Sequence, residues 1–144
     1  MDFFKKITGK NQNNQFKDRL ILVVDDNVVD LKIVVHALKG LGCKVMTAEN
    51  GSEGYVKALS HKPDLILSDC NMPFMDGVQM CKQIKEDNKT KDIPIIFLTG
   101  VDSPRNVVEC FSLEAENFMC KPINPKALTA QIEQILSEHF DSNE

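Results

Sequence analysis

The stretch LILVVDDN (residues 20–27) is a short apolar run that ends in two adjacent carboxylates, Asp25 and Asp26. A continuous run of Leu, Ile and Val is typical of a strand that is covered on both faces of a parallel sheet. Like charges side by side repel each other, and no basic residue follows them until Lys32. The stretch therefore predicts a buried strand whose end carries two carboxylates to water.

The composition restricts the class of protein. The 144 residues are 42% hydrophobic and 26% charged, which is typical of one globular domain. A net charge of −4 gives no support for general binding to nucleic acid. The five cysteines follow no CxxC or metal-ligand spacing, which favours reduced thiols in a cytoplasmic protein. No apolar run approaches the roughly 20 residues of a membrane span, and no secretion signal is present.

Four more apolar runs follow along the chain, and longer amphipathic stretches separate them. The runs are CKVMTA (43–48), DLILS (64–68), IPIIFL (93–98) and NFMC (117–120). Helix-start signals open the stretches between them, such as Asn50 followed by Glu53, which is the pattern of a capping box. Five β-α units in a row predict a doubly wound α/β fold, a five-stranded parallel sheet with right-handed crossovers.

Both ends of the chain lie outside this pattern. Residues 1–18 are polar and rich in Asn and Gln, so we expect a flexible N-terminal arm. The folded domain is expected to span residues 19–140, and residues 141–144 form a short C-terminal tail. We expect no effector domain behind the last predicted helix, which favours a domain that acts alone.

Residues at the carboxyl ends of the predicted strands are candidates for a functional site, because doubly wound folds bind ligands there. These residues are Asp25, Asp26, Asp69, Thr99 and Lys121. Converging carboxylates repel each other unless they bind a cation, and an all-oxygen ligand set suits Mg²⁺. A carboxylate can also accept a phosphoryl group, whose oxygens a lysine and a hydroxyl would stabilise. The sequence therefore predicts a phosphoryl-transfer site that depends on Mg²⁺.

Four motifs in this order and at this spacing resemble the receiver domain of two-component response regulators. The motifs are VVDDN (23–27), LILSDCNMPFMDG (65–77), IPIIFLTG (93–100) and MCKP (119–122). The resemblance extends from about residue 19 to residue 139. It implies a flavodoxin-like fold with strand order 2-1-3-4-5, and a stand-alone receiver of the chemotaxis-regulator type.

The resemblance also implies which residues take part in phosphorylation. Asp69 would be the phosphoacceptor. Asp26 would bind Mg²⁺ directly and Asp25 mostly through water, while Asn71 would add its backbone carbonyl to the ion.

A second group of residues would respond to the phosphoryl group. Thr99 would be the switch hydroxyl, and Lys121 would clamp the phosphoryl group, with a Lys121–Pro122 bond that is often cis in this family. Phe118 falls where receivers carry an aromatic switch residue, but it lacks the hydroxyl of the commoner Tyr. Leu113-Glu114 stands near a position where many receivers have Gly-Ala, so this turn is expected to differ.

What the resemblance implies is a phosphoacceptor signalling domain, not an enzyme with a separate substrate. It would catalyse its own phosphorylation and dephosphorylation, with a histidine kinase or a histidine phosphotransfer protein as donor. Its output would be contact with an unidentified downstream protein. That contact would use the surface of the fourth predicted helix, the fifth strand and the fifth helix, about residues 103–138.

Two alternatives remain open at this point. One is an aspartate-dependent phosphohydrolase, which needs a second acid-base Asp at the position where this chain has Asn71. The other is an interaction module that does not depend on phosphorylation and whose site has decayed. The complete set of acidic, hydroxyl and basic site residues argues against decay.

Overall fold

A computed structural model describes residues 16–100 and 117–141 of the chain. Its strands are β1 (Leu20–Val24), β2 (Lys44–Ala48), β3 (Leu65–Asp69), β4 (Ile95–Thr99) and β5 (Asn117–Cys120). The described helices are α1 (Val28–Gly40), α2 (Gly51–His61), α3 (Gly77–Glu86) and α4 (Pro125–Asp141). None of these four helices has the length and apolar character needed to cross a membrane. The predicted helix that begins near Ser103 lies outside the described residues.

The five strands form one parallel sheet in the order β2-β1-β3-β4-β5, which confirms the predicted flavodoxin-like fold. The chain leaves β1 towards β2 and then returns to the other side of β1 to form β3. This reversal of direction is the switch point beside which ligands bind in such folds. In the register, Val24 pairs with Ser68, so the residue that follows each of them lies at the same edge of the sheet.

Alternate side chains of the central strands pack into two cores, one on each face of the sheet. In β1, Ile21 and Val23 belong to the core that α1 and α4 cover. Leu22 and Val24 belong to the core that α2 and α3 cover. All four side chains are 0% exposed. Burial on both faces is the physical reason why this strand reads as an unbroken apolar run.

Side-chain caps begin the helices, although one prediction about them was only half right. The Asn50 side chain accepts a hydrogen bond from the Glu53 amide at 2.8 Å, as the capping-box pattern predicts. The Glu53 carboxylate pairs with Lys57, one turn further along at 3.0 Å, instead of returning to the Asn50 amide. The complete capping box is formed by Asp76 and Gln79 at the start of α3.

The first described residues belong to the folded body and not to a flexible arm. Phe16 lies within the segment 1–18 that the sequence assigned to the arm, but its side chain is 5% exposed and packs in the core that contains Ile21. The Arg19 amide donates to the Phe16 carbonyl at 3.0 Å and closes the turn that leads into β1. Burial of one aromatic side chain holds Phe16 in the fold despite its polar neighbours.

Candidate functional site

The carboxyl edge of the sheet gathers four of the candidate residues. Asp25 directly follows β1, Asp69 is the last residue of β3, and Lys121 directly follows β5. Carboxylate oxygens of Asp25, Asp26 and Asp69 lie within 4.8 Å of one another. The structure therefore brings together the three carboxylates that the sequence singled out, although Asp69 is more than 40 positions from the adjacent pair Asp25 and Asp26.

Asp25 is the most constrained of the three carboxylates. The residue is 1% exposed, so the prediction that both carboxylates of the pair reach water is wrong for Asp25, whose two oxygens have different partners within the protein. One oxygen accepts a hydrogen bond from the Asn27 amide at 2.9 Å, and the other contacts Lys121 Nζ at 3.0 Å. A buried carboxylate is tolerated only when such partners replace its lost hydration. Both carboxylate oxygens of Asp25 are therefore fixed by contacts within the protein.

Asp69 is buried and ends β3, one of the two strands that flank the switch point of the sheet. It is 8% exposed, and the Asn71 amide donates to its Oδ1 at 3.4 Å. Burial raises the pKa of Asp69 and the charge of Asp25 adds to this, while Lys121 and the Asn71 amide act in the opposite direction. The net rise means that this site disfavours an ionised Asp69 unless a further positive charge is present.

The donor set at this edge fits a magnesium ion. All three side chains offer carboxylate oxygens, the hard ligands that Mg²⁺ prefers. Asp26 is exposed, so the group opens to solvent, as an ion that keeps several of its water ligands requires. A divalent cation would also oppose the electrostatic effect that raises the pKa of Asp69.

Lys121 is the centre of the positive charge in the site. Its Nζ lies 2.9 Å from Asp30, 3.0 Å from Asp25 and 3.4 Å from Asp69. Burial alone would lower the pKa of Lys121, but hydrogen bonds to Asp30 and Asp25 and the charges of Asp69 and Asp25 raise it above its usual range. The ammonium therefore stays charged at any physiological pH. The Lys121–Pro122 peptide bond is cis, as the resemblance implied.

Asp30 is a further carboxylate of the site, in contact with Lys121, that the sequence analysis missed. It lies in the first turn of α1, where its amide donates to the side chain of the N-cap residue Asn27 at 3.0 Å. The first turn of a helix that directly follows a strand lies over the carboxyl end of that strand. An acidic residue four positions after Asp26 was therefore a usable signal, and it was overlooked because it stands outside the strand ends.

The structure places the two predicted switch residues only through their backbones. Thr99 ends β4 and pairs in the register with Cys120, the residue before Lys121. Phe118 pairs with Phe97 on the neighbouring strand. The side chains of Thr99 and Phe118 lie outside the described part of the chain, as does the whole of Leu113-Glu114, so the expectations about them stay predictions.

Gly77 lies where the loop after β3 returns against the end of that strand. Its amide donates to the Cys70 carbonyl at 3.0 Å, and an added Cβ would overlap the backbone carbonyl oxygen of Asp69. We expect Gly77→Ala to lower the free energy of unfolding by about 1–3 kcal/mol, because backbone atoms cannot rotate away from the clash.

Urea unfolding followed by circular dichroism would measure this loss, with Gly40→Ala as the matched control. Nothing lies within 4 Å of a Cβ added at Gly40, near the end of α1. The control is expected to change the free energy of unfolding by less than about 1 kcal/mol, in the stabilising direction. Equal losses in the two variants would show that contact with Asp69 is not what requires a glycine at position 77.

Comparisons with known proteins agree with this geometry. The family model of the response regulator receiver domain matches residues 21–133. Protein PilH of Pseudomonas aeruginosa is 32% identical over 117 residues, which are 81% of this chain and 97% of that protein. The phosphate regulon transcriptional regulatory protein PhoB of the same organism is 32% identical over 118 residues, 82% of this chain and 52% of PhoB. The chain spans about half the length of PhoB and of several other curated relatives that it matches.

A solved structure is similar over nearly its whole length. The chemotaxis protein CheY4 of Vibrio cholerae superimposes with a TM-score of 0.75 at 34% sequence identity. The match covers 81% of this chain and 97% of CheY4.

Proposed function

The chain belongs to the family of response regulator receiver domains, and from this membership we propose that it accepts a phosphoryl group on Asp69 from a phosphohistidine donor. The observation that carries the proposal is the surroundings of Asp69. This buried carboxylate ends a strand beside the switch point, and it shares the site with three further carboxylates and one lysine. Such a site offers one nucleophile, a place for a cation and a fixed positive charge.

In the proposed reaction, an oxygen of Asp69 forms the new P–O bond. The P–N bond of the phosphohistidine breaks, and the imidazole of the donor keeps the electron pair. Asp25, Asp26, Asp69 and the backbone carbonyl of Asn71 would hold Mg²⁺, which supplies positive charge to the phosphoryl oxygens.

Other side chains of the site would assist the transfer and its reversal. Lys121 adds a positive charge beside Asp69, and the Thr99 hydroxyl is proposed to donate to a phosphoryl oxygen. The same groups would assist the attack of water that later releases phosphate from Asp69. The protein would thus catalyse its own phosphorylation and dephosphorylation.

A protein donor suits the surface around the site better than a small molecule does. Val28 and Val29, which follow Asp26 and Asn27 in the chain, are 56% and 66% exposed. Phe74, in the loop between Asp69 and α3, is 92% exposed. Exposed apolar side chains beside a reactive group are typical of protein contact surfaces. They support a histidine kinase or a histidine phosphotransfer protein as the donor.

Mass spectrometry of the intact protein tests the proposal. Incubation with acetyl phosphate and Mg²⁺ is expected to add the mass of one phosphoryl group, and chelation of Mg²⁺ with EDTA is expected to prevent this addition. No added mass in the wild type with acetyl phosphate and Mg²⁺, and none with a phosphohistidine protein as donor, would reject the proposal. Continuous release of phosphate from a generic phosphoester would instead favour the phosphohydrolase alternative.

The output of the phosphorylated protein is proposed to run through Thr99, Phe118 and the surface at about residues 103–138. Movement of the Thr99 hydroxyl towards the phosphoryl group would leave space beside β4, which the ring of Phe118 on the adjacent strand β5 would fill. Burial of a Phe side chain contributes about 1.5–3 kcal/mol, enough to shift a two-state equilibrium at least tenfold. A downstream protein would bind to the surface that is changed in this way.

Fluorine NMR of protein that contains fluorinated Phe would measure this movement. The Phe118 resonance, assigned with Phe118→Leu, is expected to shift when beryllofluoride, a phosphoryl mimic, binds in the presence of Mg²⁺. Phe16 is 5% exposed and packs in the core that α1 and α4 cover, on the other face of the sheet from Phe97, and its resonance is the internal control that should change little. A Phe118 resonance that stays in place at saturation would exclude this route of output.

The proposal also covers the domain organisation, the cellular location and the partners of the protein. We infer that it works as a stand-alone receiver, since it matches 97% of PilH and 97% of CheY4. A cytoplasmic location is supported by the four cysteines of the described part, none of which is joined in a disulfide bond. The partners are then a phosphohistidine donor and a downstream protein, and the net charge of −4 gives no reason to add nucleic acid.

A further inference from the structure

Asp30 contacts the site lysine more closely than the proposed phosphoacceptor does. The Lys121 ammonium lies 2.9 Å from Asp30 and 3.4 Å from Asp69. We propose that Asp30 is a positioning residue, which holds the Lys121 ammonium in place to contact an oxygen of the phosphoryl group on Asp69. The inference rests on the proposed function of Asp69, and nothing in the family motifs of this chain includes Asp30.

The geometry of the ammonium group is the first support. An ammonium carries three N–H donors, and the described part of the chain offers it three carboxylates, those of Asp25, Asp30 and Asp69. The contacts to Asp25 and Asp30 have hydrogen-bond lengths of 3.0 and 2.9 Å, while the contact to Asp69 is longer. Two donors therefore anchor the lysine, and the third faces the carboxylate of Asp69, on which the phosphoryl group would form.

The second support is that the two closest carboxylate partners of Lys121 have different surroundings. Asp25 belongs to the group of three carboxylates that could hold a cation, and Asp30 does not. A cation in that group would draw on the charge of Asp25, which leaves Asp30 as the carboxylate that serves the lysine alone. Without Asp30, the flexible four-carbon stem of Lys121 would have to be ordered by fewer contacts, at a cost in side-chain entropy.

A purely local role of Asp30 in its helix does not account for this contact. An acidic residue in the first turn stabilises a helix through its dipole, and this effect requires no partner from a distant part of the chain. Glu53 shows what a local role looks like in the same protein. It occupies the equivalent position in α2 behind the cap of Asn50, and it pairs with Lys57 of its own helix. Asp30 instead pairs with a lysine that follows β5.

The positioning role and a simple charge effect predict opposite changes in the affinity of Asp30→Asn for a phosphoryl mimic. If Asp30 only added negative charge to the site, Asp30→Asn would tighten the binding of an anionic phosphoryl mimic. If Asp30 positions Lys121, the same variant should bind beryllofluoride about threefold to tenfold more weakly at saturating Mg²⁺. Titration followed by fluorine NMR of bound beryllofluoride would give these affinities. Glu53→Gln is the matched control and should bind like the wild type.

The same change made in a variant that lacks the Lys121 ammonium tests whether Asp30 acts through the lysine. In Lys121→Met, the further change Asp30→Asn should weaken beryllofluoride binding no more, because no ammonium remains to be positioned. The two changes should also be non-additive in the free energy of urea unfolding of the metal-free protein, which requires no ligand. Additive effects on unfolding would show that the ion pair does not form, and they would overturn the inference.

The outcomes separate this inference from the function on which it rests. Wild-type protein that binds beryllofluoride, together with Asp30→Asn that binds it equally well or more tightly, would overturn the positioning role and leave the proposed function standing. Wild-type protein that binds no beryllofluoride with Mg²⁺ would remove the phosphoacceptor function and the positioning role together. Weaker binding that depends on Lys121 would support both.

Discussion

Asp69→Asn is expected to abolish phosphorylation by acetyl phosphate completely. The amide has nearly the shape of the carboxylate, but it lacks the nucleophilic anion that would form the acyl phosphate. Intact-mass spectrometry after incubation with Mg²⁺ should show the phosphoryl addition in the wild type and none in the variant. The loss is all or none because Asp69 is the only carboxylate proposed to react, so no other single change should have a larger effect.

A matched variant controls for the loss of one acidic residue. Asp92 is an exposed aspartate just before β4, at the opposite edge of the sheet from the site. Asp92→Asn should therefore be phosphorylated as fully as the wild type. Modification of Asp69→Asn to the same extent as the control would show that another residue accepts the phosphoryl group.

The same variant should stabilise the metal-free protein at neutral pH. Burial and the charge of Asp25 raise the pKa of Asp69 in the folded state, so the folded protein binds this proton more tightly than the unfolded chain does. The resulting stabilisation is complete below the ordinary pKa of 3.8 and is lost as the pH rises through the folded-state pKa. At pH 7 the ionised Asp69 therefore costs stability, and Asp69→Asn should unfold at a higher urea concentration than the wild type.

Asp26→Ala is expected to have the second largest effect, a loss of Mg²⁺ affinity of at least about tenfold. Asp26 is exposed, whereas the oxygens of Asp25 already accept hydrogen bonds from the Asn27 amide and from Lys121. Asp26 therefore has more coordination capacity to offer an ion, and Asp25→Ala should lose less affinity. Isothermal titration calorimetry with MgCl₂ would measure both variants.

Glu49→Gln is the control for the electrostatic effect of one lost carboxylate. Glu49 is exposed and directly follows β2 at the same edge of the sheet, but it is not in the group of three carboxylates. Its removal should change the Mg²⁺ affinity by less than about threefold, because screened surface charges interact weakly. Mg²⁺ affinity that is unchanged in Asp26→Ala would take away its role as a direct ligand.

The local pattern of the sequence was enough to predict the elements of the fold. The run at 20–24 became β1, and the runs at 64–68 and 93–98 became β3 (Leu65–Asp69) and β4 (Ile95–Thr99). These predictions succeeded because a strand that is buried on both faces of a parallel sheet consists almost entirely of apolar residues. The capping pattern of Asn50 and Glu53 succeeded only in part, since Lys57 competes for the Glu53 carboxylate.

Predictions that depended on a single residue were less secure. Phe16 lies among polar neighbours, and no periodic pattern marks it as a core residue, so its burial in the core of β1 was missed. Asp30 was missed for a similar reason, because a lone acidic residue in a first helical turn reads as a helix-dipole contribution. For Asp30, the deciding partner is Lys121, which is distant in the sequence.

The sequence by itself determined which residues form strands and which chemical groups stand at the strand ends. The order of the strands was predicted from the resemblance of four motifs to a family and not from the apolar pattern. The apolar pattern of one strand does not identify the strands that pair with it. Only the tertiary structure decided how the site is paired. Lys121 and Asp25 are 96 positions apart, and they meet because β1 and β5 end at one edge of one sheet. The choice of Asp30 as the closest partner of Lys121 depends on how the first turn of α1 lies over that edge. Distances of this kind are set by the packing of whole elements, which no local stretch of residues encodes.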